Sequence, residues 1–252
     1  MPRSKRNLVE SGIYHIIIRG VNKQSIFYDD RDRKMFIRLL YYYRNKLNCK
    51  IYAYCLMDNH VHILFKDKEF LISDFMRNIT SIYAGEFNKK YKRVGHLFQD
   101  RFKSIYVYND DYLLRLIRYI HRNPEKAGIC EAQTYKWSSY KEYTYIPKII
   151  ERDEVLLKFD MQKEKAIKKF KKFVSEKNEE NLDRIYVADK LTDEDAKILI
   201  KHITGVREIS IIKKYNKEMR KEIMDKILEI SNLNNNQIAR VLGVSKNFKE
   251  RM

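Results

Sequence analysis

Short apolar β-branched runs alternate with helically spaced stretches through the first half of the chain. Residues 13–19 (IYHIIIR) form such a run and stop at Gly20, which predicts a strand. Asp29 and Asp30 can cap a helix over 31–46, with Phe36, Leu39, Leu40 and Tyr43 on one face. Residues 49–57 (CKIYAYCLM) predict a second strand. Asp58-Asn59 is a turn signal, and 60–65 (HVHILF) predicts a third strand antiparallel to the second. Ser73-Asp74 precedes a helix reaching about Tyr91. Residues 103–108 (KSIYVY) predict a fourth strand. Asp110-Asp111 can then cap a helix from Tyr112 to about Asn123, ended near Pro124.

The order β-α-β-β-α-β, then α, is the split-βαβ, ferredoxin-like pattern. Beyond Pro147 the pattern becomes helical throughout. Residues 150–175 alternate charge with Leu156, Leu157, Phe159, Ile167, Phe170 and Phe173. Thr192-Asp193-Glu194-Asp195 opens another helix ending near Gly205, and 207–230 reads as mostly helical. The terminal NNNQIARVLGVSKNFKERM has a short helix capped by Asn235 or Asn236, a turn at Gly243 and a last helix capped by Ser245. This helix-turn-helix pattern resembles the C-terminal part of bacterial replication-initiator-like DNA-binding domains. The competing reading is a plain helical hairpin, since the last helix has only about seven residues, short for a recognition helix. DNA contact is the reading we favour. The expected fold class is therefore α+β, with a ferredoxin-like sheet domain over 1–147 and an all-α domain over 148–252.

Composition sharpens this division. Of 19 tyrosines, 17 lie in 1–147, as does the single tryptophan, Trp137. That part has 27 basic against 15 acidic residues, net +12, and the remainder is net +6. A total of +18 points to a polyanionic partner, most often nucleic acid. Three scattered cysteines, Cys49, Cys55 and Cys130, exclude a disulfide scaffold, and the lack of a CxxC pair argues against a cysteine zinc site. The N-terminal residues do not read as a signal peptide, and no window approaches 18 uncharged apolar residues. We therefore expect a soluble cytoplasmic protein with no membrane partner.

Two spacings could carry chemistry. In His60-Val61-His62 the side chains two apart share a sheet face about 7 Å apart, so two imidazoles can share one divalent ion. Spacing alone favours the plainer reading of two polar residues on the solvated side of a strand. Tyr119 and Asn123 lie one helical turn apart, with Arg115 a turn earlier and Arg118 and Arg122 flanking. Their plain readings are a packed tyrosine, a helix C-cap before proline and a solvated basic face. His121 points elsewhere on the helix and receives no role.

The combination is more specific. RYIHRNPEKAG, following MDNHVHILF, resembles the single-tyrosine HUH transposases (two histidines around a hydrophobic residue), nearest to the tyrosine transposases associated with repetitive extragenic palindromes. GIYHIIIRGVNKQSIF, VGHLFQDRFKSIYV and KWSSY follow the family order, and the resemblance covers roughly 8–145. It implies a metal-dependent DNA transposase. His60, His62 and the Asn123 side-chain oxygen would hold Mg2+ or Mn2+. Tyr119, on a catalytic helix, would attack the scissile phosphate and become joined to the 5′ end of single-stranded or hairpin DNA. No small-molecule cofactor is implied. Arg115 or Arg118 could supply positive charge to the phenol, or a metal-bound water could take its proton. Tyr112 is the rival nucleophile, disfavoured because Tyr119 alone stands four residues before the Asn of NP.

Arg3, Lys5, Arg6, Arg19, Lys23, Arg101 and Lys103 sit in the N-terminal arm or at predicted strand ends and turns, where they can meet phosphates among stacking tyrosines. Arg101 and Lys103, within RFKS, are the strongest of these. Two other functions stay in view. One is a DNA- or RNA-binding regulator derived from a transposase, without chemistry. The other is a metal-dependent phosphodiesterase using water. A homodimer with the tyrosine helix serving the partner's histidines is left open, as is a site built within one chain.

Overall fold

The computed structural model describes residues 12–66, 71–107, 109–176, 192–206, 208–230, 233 and 235–244. Four strands, β1 (Ile13–Arg19), β2 (Lys50–Leu56), β3 (His60–Lys66) and β4 (Lys103–Tyr106), form one sheet in the order β2-β3-β1-β4. Every neighbouring pair is antiparallel. β1 and β2 therefore run parallel with β3 between them, which is the split-βαβ arrangement. The architecture is α+β, as the alternation predicts.

The central strands are apolar on both faces because both faces are covered. The two helices α1 (Asp30–Lys46) and α2 (Ile72–Tyr91) pack together on one side. There Phe36 meets Tyr83 with ring centroids 5.2 Å apart, and Phe65 of β3 meets Phe75 at 4.6 Å. α1 begins in a capping box, in which the Asp29 carboxylate accepts from the Asp32 amide and the Asp32 side chain accepts in return. α2 starts one turn earlier than its polar Ser73-Asp74 pair suggests, because Ile72 and Phe75 are buried and extend the apolar face. α3 (Asp110–Lys126) packs on β2 and β3.

Glycine is required at one corner. Gly20 donates its N–H to the Asn59 carbonyl at 2.9 Å, and a Cβ here would stand 2.3 Å from the Gln24 carbonyl oxygen and 2.9 Å from Ile26 Cγ2. Gly20→Ala must therefore displace backbone. We expect it to destabilise the fold by about 1–3 kcal/mol, read as a lower urea midpoint.

Two units separate by their contacts, with the division after residue 178 rather than at 147. Residues 148–176 stay with the sheet. The segment 137–151 closes the outer side of β2, as Leu56 N–H donates to Trp137 O, Ser139 N–H to Tyr54 O and Glu151 N–H to Ile51 O, at 2.7–3.0 Å. Short helices α4 (Tyr140–Thr144) and α5 (Asp153–Leu156) follow, then α6 (Lys163–Ser175), whose Phe170 stacks on Tyr143 with centroids 4.3 Å apart. Glu154 of α5 is gripped by Lys50, Tyr52 and Lys66. Burial pushes its carboxyl up, but these hydrogen bonds outweigh burial and hold it at about 2. Charge alternation along α6 hides how much apolar surface it turns toward the sheet, through Ala166, Phe170 and Val174.

The second unit holds α7 (Asp193–Thr204), a 3-10 stretch (Ile209–Lys214), α8 (Lys217–Ile230) and α9 (Asn235–Leu242) around Leu199, Ile212, Ile227, Ile238 and Leu242. Arg240 pairs with Asp193 through both guanidinium branches. α9 covers the short helix expected there, and Gly243 after it has a positive φ. The final helix expected from Ser245 onward, and Arg3, Lys5 and Arg6 of the arm, lie outside the described residues. Among the described residues no helix is long and apolar enough to cross a membrane.

Candidate active site

Directly opposed residues of antiparallel strands share a face. His60 stands opposite Arg19, His62 opposite Ile17 and Cys55, and Leu64 opposite His15. Lys103 of β4 stands opposite Ile17 and Ile105 opposite His15. This face thus carries His15, His60 and His62 in its middle, with Arg19 and Lys103 beside them. It is not a solvated face: His62 is fully buried and His60 half-buried. The His60 and His62 rings lie 4.9 Å apart between centroids, at 89°.

His15 reaches His62 across the sheet, and one polar ring within the apolar run of β1 was its only signal in the sequence. Its Nε2 lies 2.9 Å from His62 Nδ1 across the sheet, the rings stacked at 5.1 Å and 21°. His60 Nδ1 meets Asn59 Oδ1 at 2.6 Å. His62 Nε2 is buried with no hydrogen-bond partner among the described residues. Burial, then the nearby charge of His60, lowers His15 to about 3. Burial, then His60 and His15, holds His62 well below its ordinary value, while the adjacent Asn123 amide works the other way. Both buried rings are therefore neutral at physiological pH, the state in which imidazole is a metal ligand.

α3 brings the phenol. Its N-cap is Asn109, whose side chain accepts from the Tyr112 amide at 2.7 Å. Asp110 and Asp111 lie inside the first turn, where they complement the positive helix end. The helix does not stop before Pro124. Proline removes one N–H, yet the Ala127 amide still donates to Asn123 O at 3.0 Å and α3 reaches Lys126. Asn123 is accordingly not a C-cap. It is buried in the last turns and its Nδ2 donates to Tyr119 O at 2.9 Å, which leaves the amide oxygen as its other polar atom. The Tyr119 ring stands edge-on to both buried histidines, with centroids 5.5 Å from His62 and 6.1 Å from His15. Tyr119, His60, His62 and Asn123 therefore converge within one chain.

The cation beside the phenol is not one the sequence suggested. Lys126 Nζ lies 4.5 Å from the Tyr119 ring centroid, and its charge also reaches His62. An assumed helix end at Pro124 hid it. Arg118, expected to charge this spot, instead places its guanidinium 4.2 Å over the Phe173 ring and 3.9 Å from Glu176, on the α6 side. Arg115 donates from Nε to the Asp111 carbonyl at 3.3 Å. His121 turns away as expected, with Nε2 2.8 Å from Ser139 Oγ. Arg101 and Lys103 are exposed, and Arg19 Nε is buried with no hydrogen-bond partner among the described residues.

Among the described residues no group of three or more His, Cys, Asp and Glu side chains is placed to hold a metal. A site here would use two imidazoles and an amide oxygen. That donor set fits a divalent ion, and the orphaned, buried His62 Nε2 is the atom that needs one. Imidazole donors suit manganese better than magnesium, which prefers oxygen.

Residues 8–123 match the model of a family described as IS200-like transposases. The comparison with curated proteins gives no match. Among solved structures, the chain is similar to a REP-associated tyrosine transposase bound to a REP hairpin, at 18% identity, over 57% of this chain and 86% of that one, with a TM-score of 0.48.

Proposed function

Because the chain carries an IS200-like transposase domain over residues 8–123, we propose that it nicks and rejoins single-stranded, hairpin-associated DNA through a 5′-phosphotyrosine at Tyr119, with Mg2+ or Mn2+ held by His60, His62 and Asn123. The observation that carries this reading is the edge-on seat of the Tyr119 ring against His62, 5.5 Å between centroids, in the same chain. An ion bound by these donors would polarise the scissile phosphate.

A phenol with a pKa near 10 is a poor nucleophile at neutral pH. The Lys126 ammonium lies over the ring, where its charge would stabilise the negative charge that develops on the attacking oxygen. In the forward step Tyr119 Oη bonds to phosphorus and the P–O3′ bond breaks. Tyr119 gives up its proton, and the departing 3′ oxygen takes one up. The phosphotyrosine conserves the ester bond, so an incoming 3′ hydroxyl can reverse the step without ATP. A single strand or hairpin reaches such a site without the cost of melting a duplex. Arg19 and Lys103, on the histidine face, and Arg101, just before β4, are the phosphate contacts of this reading.

The test is a hairpin oligonucleotide labelled at either end and incubated with the protein and Mn2+. A 3′ label should migrate with the protein on a denaturing gel, while a 5′ label stays on the released fragment. EDTA should abolish both signals. Cleavage without a protein-linked label would make water the nucleophile and overturn the reading.

A further inference from the structure

We propose that His15 is a positioning residue for the metal site, fixing the His62 ring in the tautomer that leaves Nε2 as a bare acceptor. This rests on the metal reading above. Two neutral imidazoles with facing nitrogens 2.9 Å apart can share a proton in two ways. When His62 Nδ1 carries it, that N–H donates to His15 Nε2, and His62 Nε2 keeps its lone pair. When His15 donates instead, the His62 proton sits on Nε2, on the side of the Asn123 amide, and takes up the lone pair a cation needs. A cation cannot bind a nitrogen that carries a proton, so only the first arrangement makes a ligand.

The surroundings hold that arrangement rigidly. His15 and His62 lie on adjacent strands, His15 opposite Leu64 and His62 opposite Ile17, so the backbone ladder sets their separation. The rings stack at 21°, both are fully buried, and the Tyr119 edge closes over both. His15 spends its Nε2 on His62, so it acts on the ion through His62. Metal-ligating histidines generally need such a partner on the second ring nitrogen, and its loss weakens metal binding about 10–100-fold.

Two variants of the full chain separate this role from packing. His15→Phe keeps a flat ring without an acceptor, and His15→Gln restores an acceptor oxygen. Mn2+ affinity is measured by calorimetry, folding by thermal melting, and the His62 tautomer by long-range 15N–1H correlation in metal-free protein. We expect His15→Phe to bind Mn2+ about 10–100-fold more weakly while folded, and His15→Gln to recover most of the loss. The wild-type spectrum should place the His62 proton on Nδ1. Equal Mn2+ affinity in His15→Phe, or a His62 proton on Nε2 in the wild type, overturns the inference. A wild type that binds no Mn2+ removes the metal reading, and the metal-free tautomer still decides this one. Should His15→Phe fail to fold, the wild-type spectrum together with the affinity of His15→Gln decides it.

Discussion

Tyr119→Phe should yield a folded protein that binds hairpin DNA and Mn2+ but forms no covalent adduct. The substitution removes one oxygen. The ring that packs edge-on against His62 and His15, and carries the Lys126 ammonium over its face, remains. Loss of a phenol hydrogen bond costs about 1–2 kcal/mol, within the reserve of an ordinary domain. Loss of the nucleophile leaves no atom to bond to phosphorus, so adduct formation should fall about 10^4-fold or more. Gel analysis of adduct, alongside DNA binding by anisotropy, reads both halves of this expectation. Tyr112→Phe should leave the adduct intact. If the adduct survives in Tyr119→Phe and disappears in Tyr112→Phe, the nucleophile sits seven residues earlier.

Acid should unfold the sheet domain steeply. His15, His62 and His121 are fully buried, and burial lowers His15 and His121 to about 3 and His62 well below its ordinary value. In the unfolded chain all three titrate near 6.5. Below that pH the unfolded state binds protons that the folded state refuses. The stability is thus complete above about pH 6.5 and is lost as pH falls toward the folded values. Each histidine contributes a slope of about 1.4 kcal/mol per pH unit, so three give about 4. Two pH units then remove about 8 kcal/mol, comparable to the whole stability of a typical domain. Urea midpoints in EDTA between pH 7.5 and 4.5 should show this decline. His121→Gln, at a ring turned away from the histidine face toward Ser139, should reduce the slope by about a third. Glu154, held at about 2 by its lysine and tyrosine partners, adds to the loss only below about pH 4.5. A flat profile from pH 7 to 5 would mean that these rings accept protons in place.

Periodicity made the sheet domain legible. The run IYHIIIR matches β1 end to end, and the Asp29-Asp30 signal falls at the start of α1. Pairing His60 with His62, and Tyr119 with Asn123, needed only the periods of strand and helix. What stayed hidden depends on neighbours distant in sequence. His15 looks like an ordinary strand residue until the register of β1 on β3 sets it beside His62. One polar ring within an apolar run was the available signal. Lys126 was hidden by the general rule that helices stop before proline, which the final turn of α3 overrides. Arg118 shows the reverse case, where helix spacing offered a cation to the phenol and the Phe173 face of α6 took it.

The closure of β2 by residues 137–151 has a consequence for the chain while it is still being synthesised. Ile51 gains its partner Glu151 only after about 100 further residues have been added, an interval of about 5–20 s at ordinary translation speeds. Until then β2 presents bare amides and carbonyls along one rim, a template for pairing with any neighbouring nascent strand. A ribosome stalled between those two codons would hold the polypeptide in its most aggregation-prone form.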